Sequence, residues 1–149
     1  MAGQKHQNIP ASYLVLINGN KVLLSRRFNT GYEDGKYSMV AGHLEKGETF
    51  TQGIIREARE EAGIILRPED LKVVHIMHRD NGRAENNEYI DAFILAKKWK
   101  GKIDIKEPNK CDDLSWFDMD NLPKNLLPHV KLALENIKNK VFYSEYGWK

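Results

Sequence analysis

The chain lacks most of what would tie it to export, a membrane or a polymer. It has a single cysteine, Cys111, in 149 residues, which excludes an intramolecular disulfide. A reducing, cytoplasmic compartment is the simplest expectation. No stretch approaches the roughly 20 apolar residues of a membrane-spanning helix, so no membrane partner is expected. The opening, MAGQKHQNIP, has no apolar run, and a signal peptide is not expected there. An excess of one charge sign is also missing. The 23 basic and 21 acidic residues leave a net charge of +2. That balance provides no global field for a nucleic-acid polymer or an anionic membrane. Repeats, low-complexity tracts and linkers are absent as well, so residues 1–149 are read as one domain. The basic residues near the end, Lys131, Lys138 and Lys140, read as the solvated face of a helix.

What is present, 41% hydrophobic and 30% charged residues, is the composition of an ordinary globular domain. Ser12–Ile17 and Lys21–Ser25 flank the turn signal Asn18-Gly19-Asn20 and read as a β-hairpin. Residues 28–36 read as a loop, and Tyr37–Val40 as a short strand. Thr49–Ala62 is the clearest helix. Phe50, Ile54, Ala58 and Ala62 recur every four residues, Thr49 or Thr51 is positioned to cap the start, and Gly63 to end it. Leu71–His78 and Glu88–Ala96 read as strands around a polar loop, residues 79–87. Lys102–Ile105 and Leu114–Phe117 read as further strands, and Leu126–Lys138 as an amphipathic helix. The aromatic tail (Phe142, Tyr143, Tyr146, Trp148) either folds back on the sheet or covers a neighbouring subunit. Strands dominate both halves without repeated βαβ alternation, which predicts an α/β sandwich with a mixed sheet.

The chemistry concentrates in GHLEKGETFTQGIIREAREEAGI, Gly42 to Ile64. Glu57, Glu60 and Glu61 stand at i, i+3 and i+4, one face of a helix, where like charges repel. A hard divalent cation relieves that repulsion, and Mg²⁺ commonly completes its shell with water and substrate phosphate. The bland alternative is a solvated face paired with Arg56 or Arg59.

The context favours the first reading. The segment resembles the Nudix box: Gly42, Glu48, Arg56, Glu57, Glu60, Glu61, Gly63 and Ile64 all fall in its register. Ala58 stands where the family usually carries a larger aliphatic residue. Seven fixed residue types match by chance on the order of 10⁻⁸ per starting position at ordinary residue usage. The resemblance implies a Nudix-type α/β/α sandwich with a box helix and a C-terminal helix. It implies a Mg²⁺-dependent (or Mn²⁺-dependent) hydrolase that cleaves a diphosphate linkage in a small nucleotide substrate. A MutT-like (d)NTP pyrophosphohydrolase is the first expectation. An ADP-ribose, nucleotide-sugar or dinucleoside-polyphosphate hydrolase, or a non-catalytic nucleotide-sensing module, is the alternative. Nucleic-acid binding rests only on a basic pI and on Trp116 and the tail aromatics, and the near-neutral charge argues against it.

Carried over residue by residue, the resemblance makes Glu57, Glu60 and Glu61 metal ligands, joined by the backbone carbonyl of Ala41. It makes Glu48 and Arg56 a buried pair that holds the loop at Gly42 to the helix, which Gly63 ends. Glu60 is the first candidate for general base, Glu107 the second and Glu45 a weaker third. Arg27, rather than Arg26, is expected on the phosphates, since a guanidinium fork matches phosphate geometry. His43 is a further phosphate candidate, and Trp116, with Phe117, is a stacking candidate for the base. His6, His75, His78 and His129 show no metal-ligand spacing, and Cys111 reads as an inert thiol. A homodimer through the N-terminal segment or the tail is the assembly that the resemblance suggests.

Overall fold

A computed structural model describes residue 3, residues 5–82 and residues 87–149. The polar loop expected at 79–87 lies partly outside these residues. Strand β1 (Ile9–Val15) is followed by β2 (Ile17–Asn18), β3 (Lys21–Arg27), β4 (Tyr37–Ser38) and β5 (Ala41–His43). Helix α1 (Phe50–Ala62) comes next, then β6 (Leu71–Asp80), β7 (Glu88–Ala96), β8 (Cys111–Asp118), helix α2 (Pro128–Lys138) and β9 (Tyr143–Tyr146). Among the described residues, no helix is long and apolar enough to cross a membrane.

The larger sheet has the order β5-β1-β7-β6-β9 and is mixed. β1 runs parallel to β7 and antiparallel to β5, while β6 is antiparallel to β7 and parallel to β9. The alternation of side chains along each strand separates two cores. Ala11, Tyr13 and Val15 of β1 join Phe93 of β7 in one cluster with Val130, Ala133 and Leu134 of α2. Leu14 and Leu16 join Ala92, Ile94 and Ala96 in the other, with Ile54, Ala58 and Ala62 of α1. The sheet is therefore covered by a helix on each face, and the α/β/α sandwich is what the structure shows. A smaller sheet is built on β3, which pairs antiparallel with β2, β4 and β8.

The local expectations hold where the signal is local. Thr49 caps α1, with its hydroxyl accepting from Gln52 N–H at 3.0 Å and Gln52 Oε1 accepting from Thr49 N–H at 2.9 Å. Gly63 ends the helix at φ +70°, and Phe50 lies half-buried at the head of the stripe. Three expectations need correction. The hairpin survives only at its tip, with Ile17 opposite Val22 and Asn18 opposite Lys21, because β1 leaves to pair with β5 and β7 in the other sheet. Lys102–Ile105 forms no strand: Asp104 N–H and neighbouring Lys106 N–H instead donate to Ala62 and Glu61 carbonyls at 3.0 and 3.2 Å, finishing α1. Helix α2 starts at Pro128 rather than Leu126, since proline suits the first helical position and disfavours a helical residue before it. The tail alternatives resolve towards folding back, because β9 pairs with β6 from Ile76↔Tyr143 to Arg79↔Tyr146.

Candidate active site

A cavity of about 680 Å³ draws its walls from both sheets and from both helices. Arg27, Ala41, Gly42, His43, Glu57, Glu61 and Glu107 line it; Glu60, Glu45, Arg26 and Trp116 do not.

The acidic wall comes from α1. Glu57 and Glu61, one turn apart, face the cavity, while Glu60 projects beside them with its side chain half exposed, 3.3 Å from Arg56 Nη1. Among the described residues, Glu61 Oε2 is buried with no hydrogen-bond partner. Burial first, then neighbouring Glu57 and Glu107, push the Glu61 pKa up to about 10, and a backbone hydrogen bond at Ala41 opposes the rise. Gly42 leaves the room that this wall needs: a Cβ there would collide with the Glu57 carboxylate. Glu107 reaches the cavity from a tight turn in which its carbonyl accepts from Lys110 and Cys111 N–H, at 2.9 and 3.0 Å.

Arg56 holds this wall in place. Its Nε and Nη2 donate to the two Glu48 oxygens at 2.8 and 2.9 Å. Nη1 donates to Glu57 at 2.6 Å, and Nη2 also reaches the His43 carbonyl at 3.2 Å. Arg56 first, and then the Glu45 N–H, hold the Glu48 pKa down to about 2. The Glu48–Arg56 pair that the resemblance implies forms and bridges the box loop to the helix, but it is partly exposed rather than buried. Exposed Glu45 only approaches it, at 3.5 Å.

The opposite wall is cationic. Arg27 donates from Nε to the Tyr32 carbonyl at 2.7 Å and from Nη2 to Thr30 Oγ1 at 3.2 Å, and its guanidinium stacks on the Tyr32 ring. Its partners are neutral, whereas Arg26 is spent on Asp112 at 2.7 Å outside the cavity. His43 lies 5.5 Å, ring to ring, from Tyr89. Trp116 packs instead with the α1-side core, 6.2 Å from Trp99, and Phe117 packs on the Tyr37 ring.

The floor was missed by sequence reasoning. Arg79 is buried and ion-paired with buried Asp91 at 2.6 Å, and its guanidinium lies over the Tyr89 ring. Arg79 also donates to the Tyr13 hydroxyl at 3.3 Å, and Tyr13 lies 3.2 Å from His129 Nε2. No local pattern announces these five residues, which the fold collects from β1, β6, β7 and α2. Of the other histidines, His75 binds Val141 O and Ser144, His78 binds Asn8, and His6 binds Glu88. Cys111 is buried against Ser25 and donates to the Asp113 carbonyl, as suits an inert thiol.

Among the described residues, no group of three or more His, Cys, Asp or Glu side chains is already gathered around a single metal position. The donor chemistry nevertheless fits a hard divalent cation. A buried carboxylate oxygen without a partner, next to two further carboxylates, lacks a positive charge.

Comparison with known proteins agrees with this geometry. The NUDIX domain family model matches residues 8–138. An NAD-capped RNA hydrolase NudC of Stutzerimonas stutzeri (strain A1501) is 28% identical over 123 residues, which are 80% of this chain and 40% of that protein. An ADP-ribose pyrophosphatase of Methanocaldococcus jannaschii is 26% identical over 126 residues, 85% of this chain and 71% of that one. The chain thus spans less than half of the NudC relative. A MutT NUDIX hydrolase of Burkholderia pseudomallei superposes with a TM-score of 0.78 at 24% identity, covering 87% of this chain and 98% of that one. That likeness supports the fold.

Proposed function

The chain belongs to the Nudix domain family, and from that membership we propose that it is a metal-dependent hydrolase cleaving a diphosphate linkage in a nucleoside diphosphate derivative. The observation that carries the reading is Glu61 Oε2, buried without a partner in a cavity that also presents Glu57, Glu107 and Arg27. Residues 1–149 are read as one such hydrolase domain.

Glu57, Glu61 and the Ala41 carbonyl would hold Mg²⁺ or Mn²⁺, and Glu60 joins them once it exchanges its contact with Arg56. The ion, when bound, supplies charge neutralisation at the diphosphate oxygens and acidity for a water. The remaining work falls to the chain itself. Arg27, whose hydrogen bonds go to neutral acceptors, turns its guanidinium to a phosphate. Arg56 fixes the box loop through Glu48 and the His43 carbonyl, so the acidic wall is organised before substrate arrives. Glu107 accepts the proton of the attacking water. The sequence ranked Glu60 first for that role, but only Glu107 of the two lines the cavity. Glu107→Gln is expected to lower kcat by at least about 10², as for loss of a general base. Glu60→Gln is expected to lower it less, and an equal or larger loss there moves the base to the helix.

The curated relatives carry names of NAD-capped RNA and ADP-ribose hydrolases. They favour a nucleoside diphosphate joined to a second group over the (d)NTP that a MutT-like reading puts first. Mass identification of both products from a nucleotide panel, with and without Mg²⁺, tests the proposal. Tight binding without turnover of any member would favour a sensing module instead.

A further inference from the structure

We propose that the cavity floor reads the oxo edge of a purine, so that a 6-oxopurine nucleotide is preferred over its adenine counterpart. The Arg79–Tyr13–His129 chain does this by presenting only hydrogen-bond donors to the ligand. The inference rests on the reading above that the cavity takes a nucleotide.

The direction of the chain follows from where its protons go. Arg79 has no accepting atom, so its Nη2 donates to the Tyr13 oxygen at 3.3 Å. The one Tyr13 proton then goes to the partner that remains, His129 Nε2 at 3.2 Å. In this arrangement, which the proposal adopts, Nε2 is the accepting nitrogen of a neutral ring and the ring proton sits on Nδ1. Electrostatics agree: burial first, then Arg79 and Arg27, lower the His129 pKa to about 3, and burial raises that of Tyr13. Both groups keep these forms throughout the neutral range.

Two donors are left over. Arg79 spends Nε and Nη2 on Asp91 and Tyr13, and among the described residues Nη1 and His129 Nδ1 bond to nothing. Among the described residues neither atom is both buried and without a partner, so both reach open space. Arg79 and His129 line the cavity, and the space they reach is its interior.

The floor is also electrically balanced. Asp91 neutralises Arg79 by direct contact, whereas the atoms that accept from Arg27 are neutral and Asp34 bonds to Thr30 rather than to Arg27. A phosphate is therefore drawn to Arg27, and the floor, beside Leu127 and Met39, suits a neutral planar ring. An oxopurine offers two adjacent acceptors, O6 and N7, while adenine places an amino donor next to N7. Adenine would leave one floor donor facing another donor, a mismatch that polar sites discriminate strongly.

The test compares matched pairs that differ only at this edge: ITP with ATP, and nicotinamide hypoxanthine dinucleotide with NAD⁺. Both kcat/KM and Kd are measured with Mg²⁺. The hypoxanthine member should be favoured by at least about tenfold in each readout. Tyr13→Phe keeps the ring stacked 4.5 Å from Phe93 but frees His129 Nε2 to take the proton. Its preference should fall to near parity, and ¹⁵N NMR of the imidazole should show the wild-type Nδ1–H form giving way to a mixture. If Tyr13→Phe does not fold, His129→Asp replaces the donor with an acceptor and should turn the preference towards adenine. Equal use of both members by the wild type, an Nε2–H tautomer, or an unchanged ratio in the folded variants would overturn the proposal. Absence of turnover with the binding preference intact would sink the hydrolase reading and leave this one standing.

Discussion

Glu61 carries the sharpest tension at the scale of one residue. With its Oε2 unpartnered and its pKa pushed up by burial and by Glu57, it holds its proton to higher pH in the metal-free folded chain than in the unfolded one. In the unfolded chain it ionises near its ordinary value. From that ordinary value up to the folded one, the folded state binds the extra proton, so stability falls as pH rises. We expect the Tm of metal-free protein to fall between about pH 6 and about pH 9, and Glu61→Gln to flatten that fall. A wild-type slope no steeper than that of the variant would contradict the burial argument. Gly42 gives a second residue-level expectation. Its missing Cβ makes room for the flexible end of Glu57, so Gly42→Ala can be accommodated by displacing that carboxylate. Activity should therefore drop by about 10² or more while thermal stability changes little. A folded Gly42→Ala enzyme with normal turnover would detach Glu57 from the chemistry.

At the scale of the element, the box helix was largely legible in the sequence because its determinants are local. The four-residue stripe Ile54-Ala58-Ala62, the cap at Thr49 and the stop at Gly63 are all written within one segment. Loss of the Thr49 hydroxyl removes the capping-box bond to Gln52, and Thr49→Ala should cost about 1 kcal/mol in chemical denaturation. An unaffected midpoint would mean that Ser12 Oγ, which donates to the Phe50 carbonyl at 2.8 Å, and the packed face hold the helix start unaided. What the spacing could not reveal is how the helix is rotated against the cavity. Glu57, Glu60 and Glu61 share a face by arithmetic, but the packing of Ile54 and Ala58 turns Glu57 and Glu61 inward and leaves Glu60 with Arg56. The floor was illegible for a stronger reason: Tyr13 meets Arg79 across 66 residues of sequence and His129 across 116. Trp116 shows the converse limit, since a tryptophan suited to stacking on a base and one filling a core look alike in sequence.

Across the whole molecule, the tail closes one edge of the larger sheet, while the cavity is built from both sheets. Among the described strands β9 is the last in the order β5-β1-β7-β6-β9, so removing it bares the edge of β6. The tail also satisfies His75, which is fully buried: its Nδ1 lies 2.8 Å from the Val141 carbonyl and its Nε2 2.7 Å from Ser144 Oγ. Trp148 adds a bond from Nε1 to the His78 carbonyl at 2.9 Å. Ending the chain at Lys140 would strand a buried imidazole and expose a ten-residue strand to pairing with other chains. The truncated protein should lose at least about 2 kcal/mol of stability and scatter light on standing. None of the residues lost lines the cavity, so any protein that remains folded should keep its kcat. A stable, monodisperse truncation would show that the sheet closes without β9, whereas a soluble truncation with a collapsed kcat would show that the tail reaches the site through β6 and Arg79.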